Sequence, residues 1–184
     1  MKEKEYMRLE SDSIGTMEVP EDAYYGVQAL RAKENFPITG TKLHPVFIKN
    51  LAKIKRAAAI TNRKAGRLKP EIANAIEASA NEVICGMFDK DFIVDGIQGG
   101  AGTSANMNMN EVIANRAIEM LCGKKGDYTI VHPNDHVNMA QSTNDVIPTA
   151  GKLTVLDLLK PLDKSLSLLT DALYDKAAAF DHIV

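Results

Sequence analysis

The spacing of apolar residues along the chain predicts a mainly helical protein. From residue 47 onward, apolar side chains recur every three or four positions, which is the repeat of an α-helix with one buried face. The repeat predicts a first helix that Gly66 ends, a second that begins at Pro70, and a third over about residues 105–121. The stripes consist of Phe47, Leu51, Ile54 and Ala58 in the first helix, Ile72, Ile76, Ala80, Val83 and Met87 in the second, and Met109, Ile113, Ala117 and Met120 in the third.

The residues before these helices follow a different pattern. Residues 6–20 alternate between apolar and polar positions on both sides of Ser13-Ile14-Gly15, which predicts a β-hairpin that Pro20 ends. Residues 21–45 show no clear period, so we expect an irregular arm with a short helix near residues 24–34. The predicted fold class is therefore all-α with a small amino-terminal β-hairpin.

The last part of the chain predicts its longest helix. A polar connection covers residues 124–144, and helical spacing then continues to about residue 180, with a kink or short break expected at Pro161. Leucines occupy more than one face of this helix, so it must be buried on several sides. We expect that partner chains cover it, that the chain belongs to a longer protein, or both. The predicted units are a helical domain over residues 1–143 and the start of a helical bundle over residues 144–184.

Composition and charge exclude several classes of function. A formal net charge of −2 gives no basic surface for nucleic acid or an anionic membrane. The sequence contains no apolar run of about 18 residues that could span a bilayer and no secretory signal, so we expect a cytoplasmic protein. Cys85 and Cys122 lack the spacing of a zinc site or a disulfide framework, and we expect two buried thiols.

The first candidate site is the glycine-rich segment at residues 99–106 (GGAGTSAN), which leads into the third helix. Glycines let the backbone approach a ligand closely, and a helix start presents free N–H groups to an anion. Thr103 and Ser104 add hydroxyl donors. The same residues also fit a simple turn in which Ser104 caps the helix. Both interpretations stay open at this point.

A second polar cluster, Gln141-Ser142-Thr143-Asn144-Asp145, stands at the start of the last helix. Its hydroxyl and amide groups could hold a carboxylate, or they could only cap the helix. Two helix starts rich in small donors would together suit a small dicarboxylate. His132 and His136 are separated by a Pro-Asn-Asp turn with no thiol nearby, so no metal site is predicted.

Three segments resemble the aspartase/class II fumarase superfamily. Residues 99–119 (GGAGTSANMNMNEVIANRAIE) and 133–150 (PNDHVNMAQSTNDVIPTA) resemble its first two shared blocks, and residues 8–38 resemble its amino-terminal arm. Tyr24-Tyr25-Gly26, the threonine at position 143 and the segment LRAKENF at residues 30–36 resemble the aspartase branch more than the fumarase branch.

The resemblance implies a reaction and a set of binding residues. The reaction would be the reversible elimination of ammonia from L-aspartate to give fumarate through an aci-carboxylate, without a cofactor. Residues matching Thr103, Ser142 and Thr143 bind the β-carboxylate in the family, and the residue matching Asn144 contacts the amino group.

The resemblance also implies what residues 1–184 do not supply. The family's serine base lies on a loop outside these residues, so no catalytic residue is assigned here and the chain alone is expected to be inactive. Family enzymes are homotetramers with a central helical bundle, and each active site combines segments of three subunits. His132-Pro133-Asn134-Asp135 resembles a secondary anion-binding segment of fumarases and receives no catalytic role. The alternative functions are a class II fumarate hydratase and a non-catalytic helical interaction module.

Overall fold

A computed structural model describes residues 6–183 of the chain. The fold begins with an antiparallel hairpin of β1 (Met7–Ser11) and β2 (Thr16–Pro20), in which Met7 pairs with Pro20 and Ser11 with Thr16. In the turn, the Asp12 carboxylate accepts hydrogen bonds from the N–H groups of Ile14 and Gly15. The predicted hairpin and the all-α fold class are both confirmed.

Five α-helices follow the hairpin within residues 6–183. They are α1 (Val27–Asn35), α2 (Pro45–Lys64), α3 (Pro70–Ile84), α4 (Thr103–Met120) and α5 (Thr143–Ala179). A short 3₁₀ turn at Asp89–Asp91 and a π-helical turn at Pro133–Val137 shape two of the connections. Helices α2 and α3 pack against each other, and α4 lies against α3 and α1. Of the helices over residues 6–183, none is long and apolar enough to cross a membrane.

Helix α4 is buried on almost every side although many of its residues are polar. Its fully buried apolar residues are Met109, Val112, Ile113, Ala114, Ala117 and Ile118, and its buried polar residues are Asn106, Asn108, Asn110, Glu111 and Asn115. A buried polar group is costly unless it is hydrogen-bonded, and four of these side chains bond to surrounding segments, those of Asn106, Asn108, Glu111 and Asn115. Asn108, for example, donates to the carbonyl of Asp91 and accepts from the N–H of Ile93.

The Glu111 carboxylate holds the amino-terminal end of α1. It accepts hydrogen bonds of 2.9–3.0 Å from the N–H groups of Gly26, Gln28 and Ala29. The first N–H groups of a helix have no partner within the helix, and they carry the positive end of its dipole. Burial raises the pKa of the Glu111 carboxyl to about 7, against the opposite effect of the three N–H donors. One side chain thus satisfies most of the free donors of a second helix.

The hairpin completes this arrangement from the other side. Glu10 on β1 accepts from the N–H of Val27 and from the hydroxyl of Tyr128, and it forms a buried ion pair with Arg8. The guanidinium of Arg8 also donates to the carbonyl groups of Pro20 and Ala23. The inward face of β1 therefore carries charge, while Met7 and Leu9 point outward.

Helix α5 leaves the core after its first three turns. Val146, Ala150 and Thr154 are buried, whereas residues 158–180 are exposed. The exposed large apolar side chains of this part are Leu158, Leu159, Leu162, Leu166, Leu168, Leu169, Leu173, Tyr174 and Phe180. The helix continues through Pro161, so the break expected there is wrong. A proline removes one backbone hydrogen bond, and the turns on both sides retain theirs.

Two further expectations from the sequence are wrong. Cys85 and Cys122 are exposed rather than buried, because each follows the end of its helix, where the chain turns outward. Met87 also lies beyond the end of α3 and is 61% exposed. The predicted apolar stripe of the second helix thus includes one residue, Met87, that lies past the last helical turn.

Replacing Glu111 tests whether it anchors α1. In Glu111→Gln an amide N–H₂ replaces one of the acceptor oxygens and faces helix N–H donors. We expect a loss of about 1–3 kcal/mol in the free energy of unfolding, measured by urea denaturation at pH 8. Glu34→Gln is the control at an exposed position of α1, and it should change stability by no more than about 0.5 kcal/mol. Equal stability of the two variants would contradict the anchoring role.

Candidate functional site

The glycine-rich loop before α4 bends through a run of left-handed residues. Gly100, Ala101 and Gly102 have φ angles of 74°, 51° and 92°. A side chain at position 102 would place its Cβ 2.8 Å from Cγ2 of Ile147 on α5. Only glycine therefore lets this loop lie directly against the first turns of α5, which brings the starts of α4 and α5 side by side.

The loop satisfies much of its own hydrogen bonding. Thr103 is the first residue of α4, and its hydroxyl donates to the carbonyl of Gly100 over 2.6 Å. The N–H of Ala105 donates to Oε1 of Gln98 over 2.6 Å. Ser104 lies inside the helix rather than at its cap, so the capping interpretation for Ser104 is wrong. Thr103 is exposed at the surface of this loop.

At the start of α5, Ser142 is the capping residue. Its Oγ accepts a hydrogen bond of 3.2 Å from the N–H of Asn144. Thr143 is the first helical residue and is half-buried, while Ser142 and Asn144 are exposed. Asp145 places a carboxylate in the same first turn. The negative charge of Asp145 interacts favourably with the positive end of the helix dipole. It also repels any anion that binds at this helix start.

A single side chain connects the two helix starts. Asn106 lies one turn after Thr103 on α4, and its Nδ2 donates to Oγ1 of Thr143 over 3.1 Å. The same amide nitrogen donates to Oδ1 of Asn138 over 3.2 Å. Asn106 is only 2% exposed. The buried amide of Asn106 therefore links the start of α4, where Thr103 lies, to Thr143 at the start of α5.

Lys55 lies beneath this connection. Its side chain is fully buried, and its Nζ donates to Oδ1 of Asn138 over 2.8 Å and to Oε1 of Gln141 over 3.0 Å. Burial lowers the pKa of the Lys55 ammonium to about 7, because the charged form loses hydration.

The segment around His132 forms a second polar region. Nδ1 of His132 accepts hydrogen bonds from the N–H groups of Asn134 and Asp135, so the imidazole caps the π-helical turn. The segment lines a cleft of about 480 Å³ together with Arg31 and Gln28 of α1. Over residues 6–183, no group of three or more His, Cys, Asp or Glu side chains is arranged to hold a metal ion.

Sequence patterns missed the residues beneath the predicted site. The buried face of α2 is rotated by about one residue from the predicted apolar stripe, and its buried residues are Ile48, Asn50, Leu51, Ala52, Lys55, Ala59 and Asn62. Lys55 lies four residues after Leu51 and therefore on the same, inward side of the helix. This spacing is the feature of the sequence that indicates a buried lysine. Asn106 and Gln141 lie within the two predicted polar segments, but the sequence patterns assign no role to either.

Comparisons with known proteins identify the family. A protein family described as lyase matches residues 15–184. The chain belongs to this lyase family. It is 50% identical over 178 residues to an aspartate ammonia-lyase of a Bacillus species, covering 97% of this chain and 38% of that protein. It is 53% identical to a class II fumarate hydratase of Halobacterium salinarum, covering 96% of this chain and 38% of that protein.

Solved structures of lyase family members share the fold. A structure from Brucella melitensis, described as fumarate lyase:delta crystallin in native form, superposes with a TM-score of 0.92 at 46% identity, covering 96% of this chain and 41% of that one. The chain thus spans about 38% of the length of the curated relatives cited and 41% of this solved chain. The expected resemblance to the aspartase/class II fumarase superfamily is confirmed.

The buried amine of Lys55 should make stability depend on pH in a defined direction. Its pKa falls from 10.5 to about 7 on folding, so the unfolded chain binds more protons between these values. The free energy of unfolding should therefore rise with pH across this window, and Lys55→Met should remove that rise.

Urea denaturation at several pH values between 7 and 10 measures this effect. The advantage of the wild-type chain over Lys55→Met should grow with pH. Lys49→Met, at an exposed position of the same helix, should follow the wild-type pH dependence. Parallel curves for the wild type and Lys55→Met would contradict the prediction.

Proposed function

We propose that this chain forms part of an aspartate ammonia-lyase, which eliminates ammonia from L-aspartate to give fumarate. The observation that carries the proposal is the pairing of two hydroxyl-bearing helix starts through Asn106, with Thr143 at the junction. Hydroxyl and N–H donors at two adjacent helix starts suit a carboxylate, particularly one whose negative charge increases in the transition state.

In this proposal, Thr103, Ser142 and Thr143 bind the β-carboxylate. Proton removal next to that group gives an aci-carboxylate with additional negative charge, so donors fixed in advance stabilise it more than the substrate. In this structure the Thr103 hydroxyl donates to the carbonyl of Gly100, and Oγ of Ser142 accepts from the N–H of Asn144. Ser142 uses its oxygen as an acceptor and keeps its hydroxyl hydrogen for a ligand, whereas Thr103 must rotate its hydroxyl away from Gly100.

Asn144 takes the amino group of aspartate in this proposal. It is exposed in the first turn of α5, next to the proposed carboxylate donors. An amide oxygen can accept from an ammonium group, which fumarate lacks. The proton-abstracting base is not assigned to residues 1–184, and no cofactor is proposed for the reaction.

A class II fumarate hydratase is the second candidate. Its support is the 53% identity to the Halobacterium salinarum protein, which is as high as the identity to the aspartate ammonia-lyases. Tyr24-Tyr25-Gly26 and Thr143 favour the aspartase branch. Both candidates use the same carboxylate site and differ in the leaving group, which is ammonia in one and water in the other.

The complete product of the gene that encodes this chain tests both candidates. We expect fumarate to form from L-aspartate and not from L-malate. The ultraviolet absorbance of fumarate measures the reaction. Thr143→Val should lower kcat/KM for aspartate by roughly 100–1000-fold, since it removes one donor to a developing oxyanion. Thr149→Val, at an exposed position of α5, should leave kcat/KM unchanged. Turnover of malate alone would favour the hydratase, and turnover of neither substrate would contradict both.

We also propose that the exposed half of α5 pairs with the same helix of other copies. Its apolar side chains extend over residues 153–180, and an unpaired apolar surface of this length favours association in water. Family enzymes with a central helical bundle would bury such a surface.

Light scattering of the 184-residue chain tests this pairing. We expect a dimer or a larger species, and we expect Leu162→Gln combined with Leu169→Gln to shift it toward the monomer. Both leucines are more than half exposed, so the substitutions should not disturb the core. A well-folded wild-type monomer at high concentration would contradict the pairing.

A further inference from the structure

Lys55 is a buried cation without a carboxylate partner among residues 6–183. It lies on the inward face of α2, between Ala52 and Ala59, and its side chain is fully buried. The ion pairs formed by the described residues do not include it. Leaving a lysine in this environment is costly, and a leucine or methionine would fill the space without that cost. Packing alone therefore gives no reason for a lysine here.

Its two hydrogen bonds fix the orientation of two amide side chains. Asn138 and Gln141 both direct their amide oxygens at Nζ of Lys55. Their amide nitrogens donate elsewhere, Asn138 to the carbonyl of Gln141 and Gln141 to the carbonyl groups of Val137 and Met139. Because the lysine amine donates to both oxygens, neither amide can reverse without placing two donors face to face.

The orientation of Asn138 determines the direction of the next bonds. Oδ1 of Asn138 also accepts from Nδ2 of Asn106, and the same N–H₂ group donates its second hydrogen to Oγ1 of Thr143. Lys55 therefore donates to Oδ1 of Asn138, and Asn106 donates to the same oxygen. The amide of Asn106 also donates to Oγ1 of Thr143, so each of these bonds has a fixed direction. Asn106 Oδ1 is buried and has no hydrogen-bond partner among the described residues.

The consequence at Thr143 is that its oxygen is already used as an acceptor from Asn106. A threonine hydroxyl has one hydrogen to donate. With Asn106 donating to it, that hydrogen is left to point away from the protein interior, where a carboxylate would bind. If the chain of bonds ran the other way, Thr143 would donate to Asn106 and offer the ligand only lone pairs.

We propose that Lys55 is a positioning residue for carboxylate binding, which fixes the direction of this hydrogen-bond chain so that Thr143 presents its hydroxyl hydrogen to the substrate. The inference rests on the function proposed above and names a residue that does not touch the substrate. An ammonium group has three hydrogens to donate and no lone pair, so the charged form supplies both bonds and cannot accept from a reversed amide.

A merely structural role would be to hold residues 137–143 against α2. That role and the positioning role both predict lower activity in Lys55→Met, so the single variant does not separate them. A double-mutant cycle with Thr143→Val does, because positioning acts only through the Thr143 hydroxyl. Once that hydroxyl is absent, the loss of Lys55 should have little further effect on kcat/KM.

The test uses the complete gene product with L-aspartate as substrate. Lys55→Met should lower kcat/KM by about 100-fold, the size expected for a displaced binding group. The double variant Lys55→Met/Thr143→Val should lose no more than about threefold beyond Thr143→Val alone. Lys49→Met, on the exposed side of α2, is the matched control and should behave as the wild type. Additive losses in the cycle, or an unchanged kcat/KM in folded Lys55→Met, would overturn the inference.

Two isosteric substitutions test the direction of the chain if Lys55→Met does not fold. Asn106→Asp replaces the donor to Thr143 with an acceptor and forces the hydroxyl to donate inward. Asn138→Asp keeps an acceptor toward both Lys55 and Asn106, with the same added charge. We expect the loss in kcat/KM to be at least about tenfold greater for Asn106→Asp, in line with the 10²-fold cost of a misplaced group. Equal losses would overturn the inference.

These outcomes remain distinct from a failure of the proposed function. If the wild-type gene product turns over neither aspartate nor malate, the proposed function fails before any variant is compared. If the wild type is active and the variants behave additively, only the role of Lys55 is overturned.

Discussion

The burial of hydrogen-bonding side chains on α4 is the constraint on which the rest of the structure depends. An apolar central helix would let its neighbours slide and repack, because apolar contacts have little directional preference. The polar side chains of α4 instead require particular partners at particular distances. Glu111 binds the start of α1, Asn108 binds the chain around Asp91, and Asn115 binds the carbonyl of Tyr24 and the N–H of Gly126. Hydrogen bonds to α4 thereby fix the positions of irregular segments as well as that of a helix start.

The same constraint explains why no side chain fits at Gly26. A Cβ there would lie 2.6 Å from Oε2 of Glu10 and 2.8 Å from Cδ of Glu111. Two buried carboxyl groups converge on one backbone position, because Glu111 accepts from the N–H of Gly26 itself and Glu10 accepts from the N–H of Val27. The start of α1 therefore depends on a position with no side chain as much as on the two carboxylates.

Apolar periodicity was sufficient to predict the helices and the hairpin, and it failed where polar residues face inward. The predicted stripe on α2 lies about one residue away from the buried face, because that face includes Lys55 and Asn62, which apolar spacing does not count. The candidate residues at both helix starts could be named from sequence, since hydroxyl groups next to a glycine-rich turn or a helix cap are recognisable. Their connection through Asn106 could not, because it depends on how α4, α5 and the segment around Asn138 pack in space.

Helix α5 joins two regions that are far apart in space. It is one uninterrupted helix of 37 residues, and at 1.5 Å per residue it is about 55 Å long. Thr143 is at one end, beside α4, while the other end is exposed over residues 158–180. The residues proposed to bind a carboxylate and the surface proposed to pair with other copies therefore belong to one helix and lie at its opposite ends.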